Sequence, residues 1–464
     1  MLRFFLISAL LSVVFAWGAE PADIIVTARW VVTMDGQRRV IDNGAVAVKG
    51  DRIAAVGTRA EIDAKYTPKQ RIDAGRAIVT PGLINTHTHA AMSLMRGIAD
   101  DMNLQDWLEK FIFPAEGKNV SPEFVRDGTT LACAEMLLSG TTTYTDMYYF
   151  EEVVAEATKA CGMRAVLGQT IIQFPVADAK TPAEGLKRTE AFLIKYAKDP
   201  LIVAAPAPHA LYTNDEATLK AARAMANKYG VPLLMHLSET KRENDDMQAK
   251  YGASPTAVLD RWGIFNGRSV MAHGVWISSA DMDILKARGV GVGHCPSSNM
   301  KLASGVAPVV QYLKRDIAIG LGPDGPAGSN NDFNLFEEMD LAAKLQKVTT
   351  MNPTAITAEQ AFEMATIRGA RALSMDMEIG SLESGKKADL IVIRADRPHA
   401  LPIYNVYSQL VYALKGSDVT DVIVNGRVVV RGSKVLTVDL PTVSRKSLQW
   451  QEKIQKSIAS EGGK

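Results

Sequence analysis

From about residue 78 to residue 322 the chain alternates short, strand-like runs with longer stretches of helical spacing, and the pattern repeats eight times. The runs fall at residues 78–85, 141–146, 164–169, 201–207, 232–237, 269–273, 289–294 and 317–322. Runs of this length separated by helix-sized stretches are the mark of parallel βα units, whose crossover helices cover the sheet. Eight such units predict a closed (β/α)8 barrel, placed here at residues 79–375. Barrels of this kind present their reactive side chains at the C-terminal ends of the strands, which is where to look for chemistry.

The flanks read differently. IIVTARWVVTMD and AVAVKGDRIAAVGT near the start, and KKADLIVIRAD and DVTDVIVNGRVVVRGSKVLTV near the end, are β-prone runs punctuated by turn signals. Asn43-Gly44 and Asn425-Gly426 are each read as a hairpin turn. The likeness of the two ends predicts one small β-sandwich assembled from residues 22–78 and 376–440. Residues 441–464 read as a polar surface helix with a frayed Glu-Gly-Gly-Lys end.

Residues 1–18 form a segment of another kind: Arg3, then an uncharged run from Phe4 to Trp17, then small residues at Ala16 and Gly18. That tripartite pattern predicts a secretory signal peptide, and the run is shorter than the roughly 20 apolar residues of a spanning helix. The expected location is therefore periplasmic or extracellular, with no stable membrane insertion after cleavage; a cytoplasmic protein is the alternative. Export implies an oxidising compartment, yet Cys133, Cys161 and Cys295 are few, odd in number and far apart, so no disulfide framework or CxxC zinc motif is predicted. With 52 Lys and Arg against 51 Asp and Glu, the net charge of +1 argues against a nucleic-acid partner. A small-molecule substrate is expected, and assembly into a homo-oligomer stays open.

Six of the seven histidines sit at or just beyond a predicted strand end, and His399 alone lies outside the barrel. The first strand runs into His87-Thr88-His89, and period two points both imidazoles to one side, into the barrel mouth. A pair of imidazoles at that spacing can share a metal, whereas buried imidazoles without one would each need separate partners. Other strand ends carry His236 and, three residues on, Glu239; His273; and Asp324 between Gly322 and Gly325. Asp324 could instead cap a following helix, and Glu239 could be a helix-start carboxylate favoured by the dipole. Their position at a barrel mouth beside a metal site favours ligand and proton-carrier roles. Cys295 follows His294, but adjacent strand residues face opposite ways, so this is packing rather than a nucleophile pair.

The segments PGLINTHTHAAMSLMRGIADDMNLQDWL, HLSET, AHGVW, GHCPSSNMKLASGVAP and LGPDGPAGSNNDFNLFEEM resemble the amidohydrolase superfamily. Within it they are most similar to the branch of 5-methylthioadenosine/S-adenosylhomocysteine deaminases, over about residues 24–435. The resemblance implies a TIM-type barrel with a terminal β-sandwich. It also implies one zinc, or a similar divalent metal, held by His87, His89, His236 and Asp324. Glu116 and His209 match substrate-binding positions, and Glu239 and His273 match proton-handling ones, with Glu239 and Asp324 also facing the substrate. The implied reaction is hydrolytic deamination of an adenosine-type nucleoside to the inosine analogue and ammonia, with Glu239 protonating ring N1, Asp324 accepting the water proton and His273 stabilising developing charge.

Where this branch commonly carries an arginine the chain has Gln169, and residues 174–184 hold no arginine. Loss of a bidentate carboxylate grip predicts that methylthioadenosine or adenosine is used at least as well as S-adenosylhomocysteine, and that Gln169→Arg would favour the latter. Other aminated heterocycles, guanine-like, pterin or s-triazine, remain alternative substrates. A binuclear cyclic-amide hydrolase would need a bridging lysine where the chain reads Ala204-Ala205-Pro206-Ala207-Pro208-His209. A non-catalytic metal-binding protein would have no use for Glu239 and His273 beside an open coordination position.

Overall fold

A computed structural model describes residues 19–459. The segment read as an export signal and the end read as frayed lie outside the described residues. Nine strands from the two ends of the chain form one mixed sheet: β1 (Glu20–Val32), β2 (Val40–Lys49), β3 (Arg52–Thr58), β4 (Tyr66–Asp73) and β5 (Ala77–Pro81), then β14 (Leu390–Arg394), β15 (Val419–Val424), β16 (Arg427–Arg431) and β17 (Lys434–Val435). Between them lie the eight parallel barrel strands: β6 (Leu83–Thr88), β7 (Thr141–Tyr148), β8 (Arg164–Ile171), β9 (Ile202–Pro208), β10 (Leu233–Leu237), β11 (Ser269–His273), β12 (Gly291–His294) and β13 (Ile319–Leu321). The ladder runs β10-β11-β12-β13-β6-β7-β8-β9, and at the seam between β9 and β10 the His236 N–H donates to the His209 carbonyl at 2.9 Å.

Two local expectations are corrected. The run at residues 78–85 is not one strand but two, because the chain crosses from the terminal sheet to the barrel at Pro81-Gly82. There β5 pairs with β14 and β6 pairs with β7. Only glycine fits that crossing, since a Cβ on Gly82 would lie 2.1 Å from the Thr142 hydroxyl. Asn43-Gly44 is not a turn either: both residues lie inside β2, Asn43 with a φ of 46° between the Trp30–Asp42 and Ala28–Gly44 partners, and the register with β1 runs through them unshifted. Asn425-Gly426 does join β15 to β16 as a two-residue hairpin.

The C-terminal helix Leu440–Ala459 docks rather than floats. Trp450 and Ile454 are buried, the Trp450 ring meets Phe124 edge-on at 5.3 Å, and its indole N–H donates to Asp127 at 3.0 Å. Apolar residues in this helix recur at Val443, Trp450 and Ile454, a narrow stripe in a polar segment. Among the described residues no helix is long and apolar enough to cross a membrane.

Barrel and terminal sheet are joined by a buried ion pair. Arg164, at the start of β8, donates through Nε to Asp389 at 2.8 Å and through Nη2 to Asn425 at 3.1 Å, while Asp389 also accepts from the Asn425 amide. Asp389→Ala leaves a guanidinium buried without its counter-charge. The expected loss is about 3–5 kcal/mol of unfolding free energy. Urea denaturation showing a loss below about 1 kcal/mol would mean that Arg164 finds other partners.

Candidate active site

The functional side chains sit where β6, β9, β10, β11 and β13 end. His87 is the fifth residue of β6 and His89 lies just past its end, and their ring centroids are 4.9 Å apart, as the two-residue period requires. Gly322 lets β13 approach β6: a Cβ there would fall 2.7 Å from the backbone N and O of His87. Immediately beyond it, Asp324 has a φ of 63°, and Ser238 and His273 at the ends of β10 and β11 have φ of 48° and 71°. Non-glycine residues in the left-handed region store strain, and three of them converge on this one mouth.

The histidines and Asp324 form two overlapping triads that share His87. In His87, His89 and Asp324, and in His87, His236 and His273, one potential ligand atom from each residue lies within 4.8 Å of the others. Asp324 Oδ1 is 3.1 Å from His87 Nε2 and 3.3 Å from His89 Nε2. His89 Nδ1 donates to the Met147 carbonyl at 2.7 Å, and His236 Nδ1 donates to the His209 carbonyl at 2.8 Å. Carbonyls only accept, so both rings carry a proton on Nδ1; His236, kept neutral by burial, turns an Nε2 lone pair inward, while His89, raised to about 9 by Asp324 against the cost of burial, offers its Nε2 once a cation displaces the proton there. His87 Nε2 is buried and, although 3.1 Å from Asp324 Oδ1, makes no hydrogen bond of good geometry. Imidazole nitrogens turned inward around a buried anionic carboxylate are what a divalent cation satisfies, and the residues present fit one.

Around this cluster the carboxylates are tuned by burial. Burial, reinforced by the nearby Asp324, pushes Glu239 up to about 8, so it carries a proton at neutral pH. Its oxygen lies 3.7 Å from His273 Nε2. Burial opposes ionisation of Asp324, but the imidazoles of His87 and His89 beside it hold its carboxyl well below the usual range. Asp324 caps no helix: Ser298 donates to its Oδ2 at 2.7 Å, and the following helix Leu335–Thr349 is capped by Asn334. Nor does Glu239 start a helix, since Thr240 caps the helix Lys241–Tyr251. Across the cavity, burial raises Glu116 to about 7 while it accepts from the Tyr148 hydroxyl at 2.7 Å and the Tyr149 hydroxyl at 3.4 Å. His209 lines the same cavity with Glu116, Glu239, His273 and Asp324, kept neutral by burial.

Several residues that hold these groups were not legible in the sequence. Glu243 accepts from the backbone N–H of Ser238 at 3.0 Å and of Glu239 at 2.9 Å, fixing the loop that aims Glu239. Asn299 Oδ1 accepts from His273 Nδ1 at 3.1 Å, leaving an Nε2 lone pair toward Glu239. Ser298 and Asn299 follow β12 in the PSSN stretch, whose polar residues were visible but carried no pattern that names a partner.

Gln169 needs correction: it is fully buried, its Nε2 donates to Asp178 at 2.8 Å and its Oε1 accepts from the Glu151 amide at 3.4 Å, and it does not line the cavity. An arginine at residue 169 would meet Asp178, so the expected gain from Gln169→Arg does not follow. Cys295 is buried and its thiol reaches the Gly293 carbonyl, while both ring nitrogens of His294 have no partner, so these two make no nucleophile pair.

Residues 78–429 match the amidohydrolase family, and residues 44–67 match an imidazolonepropionase-like composite domain of bacteria. The chain is similar to 5-methylthioadenosine/S-adenosylhomocysteine deaminase 1 of Syntrophus aciditrophicus, 44% identical over 95% of this chain and 99% of that protein. It superposes on a zinc-bound adenosine deaminase from Xanthomonas campestris with a TM-score of 0.92 and 38% identity, covering 95% of this chain and 100% of that one. A zinc complex of an atrazine chlorohydrolase from Arthrobacter aurescens shares the fold at a TM-score of 0.85 and 24% identity, over 92% and 100% of the two chains. The barrel, the cluster at its mouth and a sequence match over most of the chain agree: this protein belongs to the amidohydrolase family.

Proposed function

We propose that the protein is a metal-dependent aminohydrolase that deaminates an adenosine-type nucleoside. The observation that carries the reading is that Glu239, His273 and Asp324 line one cavity, Glu239 3.7 Å from His273 Nε2, where burial raises the Glu239 carboxyl to about 8 while the imidazoles beside Asp324 hold its carboxyl low against the cost of burial. Separating a proton donor from a proton acceptor within one cavity is what hydrolytic loss of ammonia requires. The names of the S. aciditrophicus and X. campestris proteins support the substrate class.

His87, His89, His236 and Asp324 would hold one divalent metal, taken as zinc, which supplies Lewis acidity and lowers the pKa of water. The protein's own groups do the rest. Glu239 delivers its proton to N1 of the purine, making C6 electrophilic. Asp324 accepts a proton from the attacking water and returns it to the departing amine. His273, its Nδ1 proton tied to Asn299, turns its Nε2 lone pair to the new C6 hydroxyl and passes that proton back to the Glu239 carboxylate, 3.7 Å away, as the carbonyl forms. Glu116, an acceptor when ionised, suits a sugar diol, and His209 lies along the nucleoside between the two ends.

The test is ammonia release from adenosine, 5′-methylthioadenosine, guanine and an s-triazine in one panel. Turnover of the adenosines by at least about tenfold over the others in kcat/KM, a margin of about 1.4 kcal/mol, supports the reading. Preference for guanine or the triazine would replace it with the heterocycle alternative. The pattern in residues 1–18 supports export, and the mature N-terminus is then expected close to Ala19. N-terminal sequencing that finds intact Met1 on soluble cytosolic protein would overturn export.

A further inference from the structure

Glu338 is fully buried in the first turn of the helix Leu335–Thr349, yet it does not line the catalytic cavity and no step of the mechanism uses it. A buried carboxyl is costly unless donors meet its oxygens, and here both are met. Oε2 accepts from the Ser297 backbone N–H at 3.2 Å, and Oε1 accepts from Asn330 Nδ2 at 3.1 Å. Burial raises the group to about 8, and in either protonation state each oxygen keeps a lone pair for its donor. An amide in the same place has a single acceptor oxygen and would turn an N–H2 against one of the two donors.

Both donors stand beside groups of the site. Ser297 leads into Ser298, whose hydroxyl donates to Asp324 Oδ2 at 2.7 Å, and Asn299, whose Oδ1 accepts from His273 Nδ1 at 3.1 Å. Asn330 Nδ2 also donates to the Pro323 carbonyl at 2.9 Å, and the Asn330 amide donates to the Gly325 carbonyl at 2.9 Å, so this residue grips the backbone on both sides of Asp324. That backbone needs a grip, because Asp324 has a φ of 63°, which a non-glycine residue keeps only where its surroundings impose it. One carboxyl on one helix therefore ties the loop after β12, which orients the Asp324 and His273 side chains, to the loop after β13, which carries Asp324 itself.

We propose that Glu338 is a positioning residue for the metal centre, holding these two loops in register so that the Asp324 carboxylate stays aimed at His87 and His89; this rests on the metal-dependent reading above. The nucleoside end of the cavity, with Glu116 and His209, is held by other elements, so binding of substrate should be spared while metal affinity and turnover suffer.

The experiment measures zinc affinity by competition with a chelator, and kcat and KM on zinc-loaded protein, for the wild type, Glu338→Ala, Glu338→Gln and Glu363→Gln. Glu363 is also buried but pairs with Arg38 at 2.6 Å and Arg368 at 3.0 Å, so its variant reports lost stability without a lost tie between the loops. In Glu338→Ala, zinc is expected to bind about 10- to 100-fold more weakly and kcat to fall by a similar factor, with KM within about threefold of wild type. Glu338→Gln, with one of the two acceptors left, should fall between, and Glu363→Gln should lower the urea midpoint while zinc affinity stays within about threefold of wild type. Wild-type zinc affinity in both Glu338 variants, or an equal loss in Glu363→Gln, overturns the proposal. If Glu338→Ala does not fold, Glu338→Gln decides by the same comparison. The zinc titrations need no substrate, so they settle the role of Glu338 even if no adenosine turns over, whereas a wild type that takes up no zinc brings down the metal-dependent reading and this proposal together.

Discussion

His87→Ala and Asp324→Ala are each expected to strip the enzyme of its metal and to lower kcat by at least about 10³-fold, because several kcal/mol of charge stabilisation go with the ion. His87 is the stronger case. It belongs to both triads at the barrel mouth, and its buried Nε2 makes no hydrogen bond of good geometry. Asp324→Ala also removes the anion that accepts from Ser298 and sits against His87 and His89, so the imidazoles lose the carboxylate that aligns them. Elemental analysis should find one equivalent of divalent metal in the wild type and little in either variant. Two equivalents, or full activity after complete chelation, would reject a mononuclear site.

Glu239→Gln should separate chemistry from binding. The amide keeps the volume and the hydrogen bonding of the protonated carboxyl but cannot release a proton, so kcat is expected to fall by about 10² to 10⁴-fold while the metal stays bound. Because burial raises the Glu239 carboxyl to about 8, the proton-donating form is the one present at neutral pH and is lost as pH rises. Wild-type kcat should therefore decline on the alkaline side, and the residual activity of Glu239→Gln should not show that decline. Near wild-type turnover in the variant would remove Glu239 from the mechanism. Loss of metal together with activity would mean that it holds the site together instead. Glu243 offers a control, since it touches the Glu239 amide at 2.9 Å and not the cavity: Glu243→Gln is expected to change KM and kcat together through the loop.

How much of this site was legible depends on how local each feature is. His87 and His89 could be paired from sequence because a strand repeats every two residues, so two positions suffice to place both rings on one face. That His236, His273 and Asp324 join them also follows from the barrel, since every strand delivers its last residues to the same mouth. The split of residues 78–85 between two sheets escaped that logic: both halves are equally apolar, and only the Thr142 side chain packed against Gly82 marks the crossing. Asn43-Gly44 and Asn425-Gly426 make the same point, since identical dipeptides lie within one strand and form a turn between two others.

The sequence by itself determined the eight-fold strand and helix alternation, the terminal sheet and the gathering of six histidines at strand ends, because each rests on a short repeat written into neighbouring residues. Only the tertiary structure decided what each group does. Hydrogen-bond partners far along the chain chose the tautomers of His89, His236 and His273, and burial by distant elements placed the proton on Glu239 while Asp324 stays ionised. Gln169 shows the limit best. Its identity suggested a lost ligand contact, yet Asp178 and Glu151 claim its amide. Charge, tautomer and cavity shape are properties of surroundings, and surroundings exist only once the chain has folded.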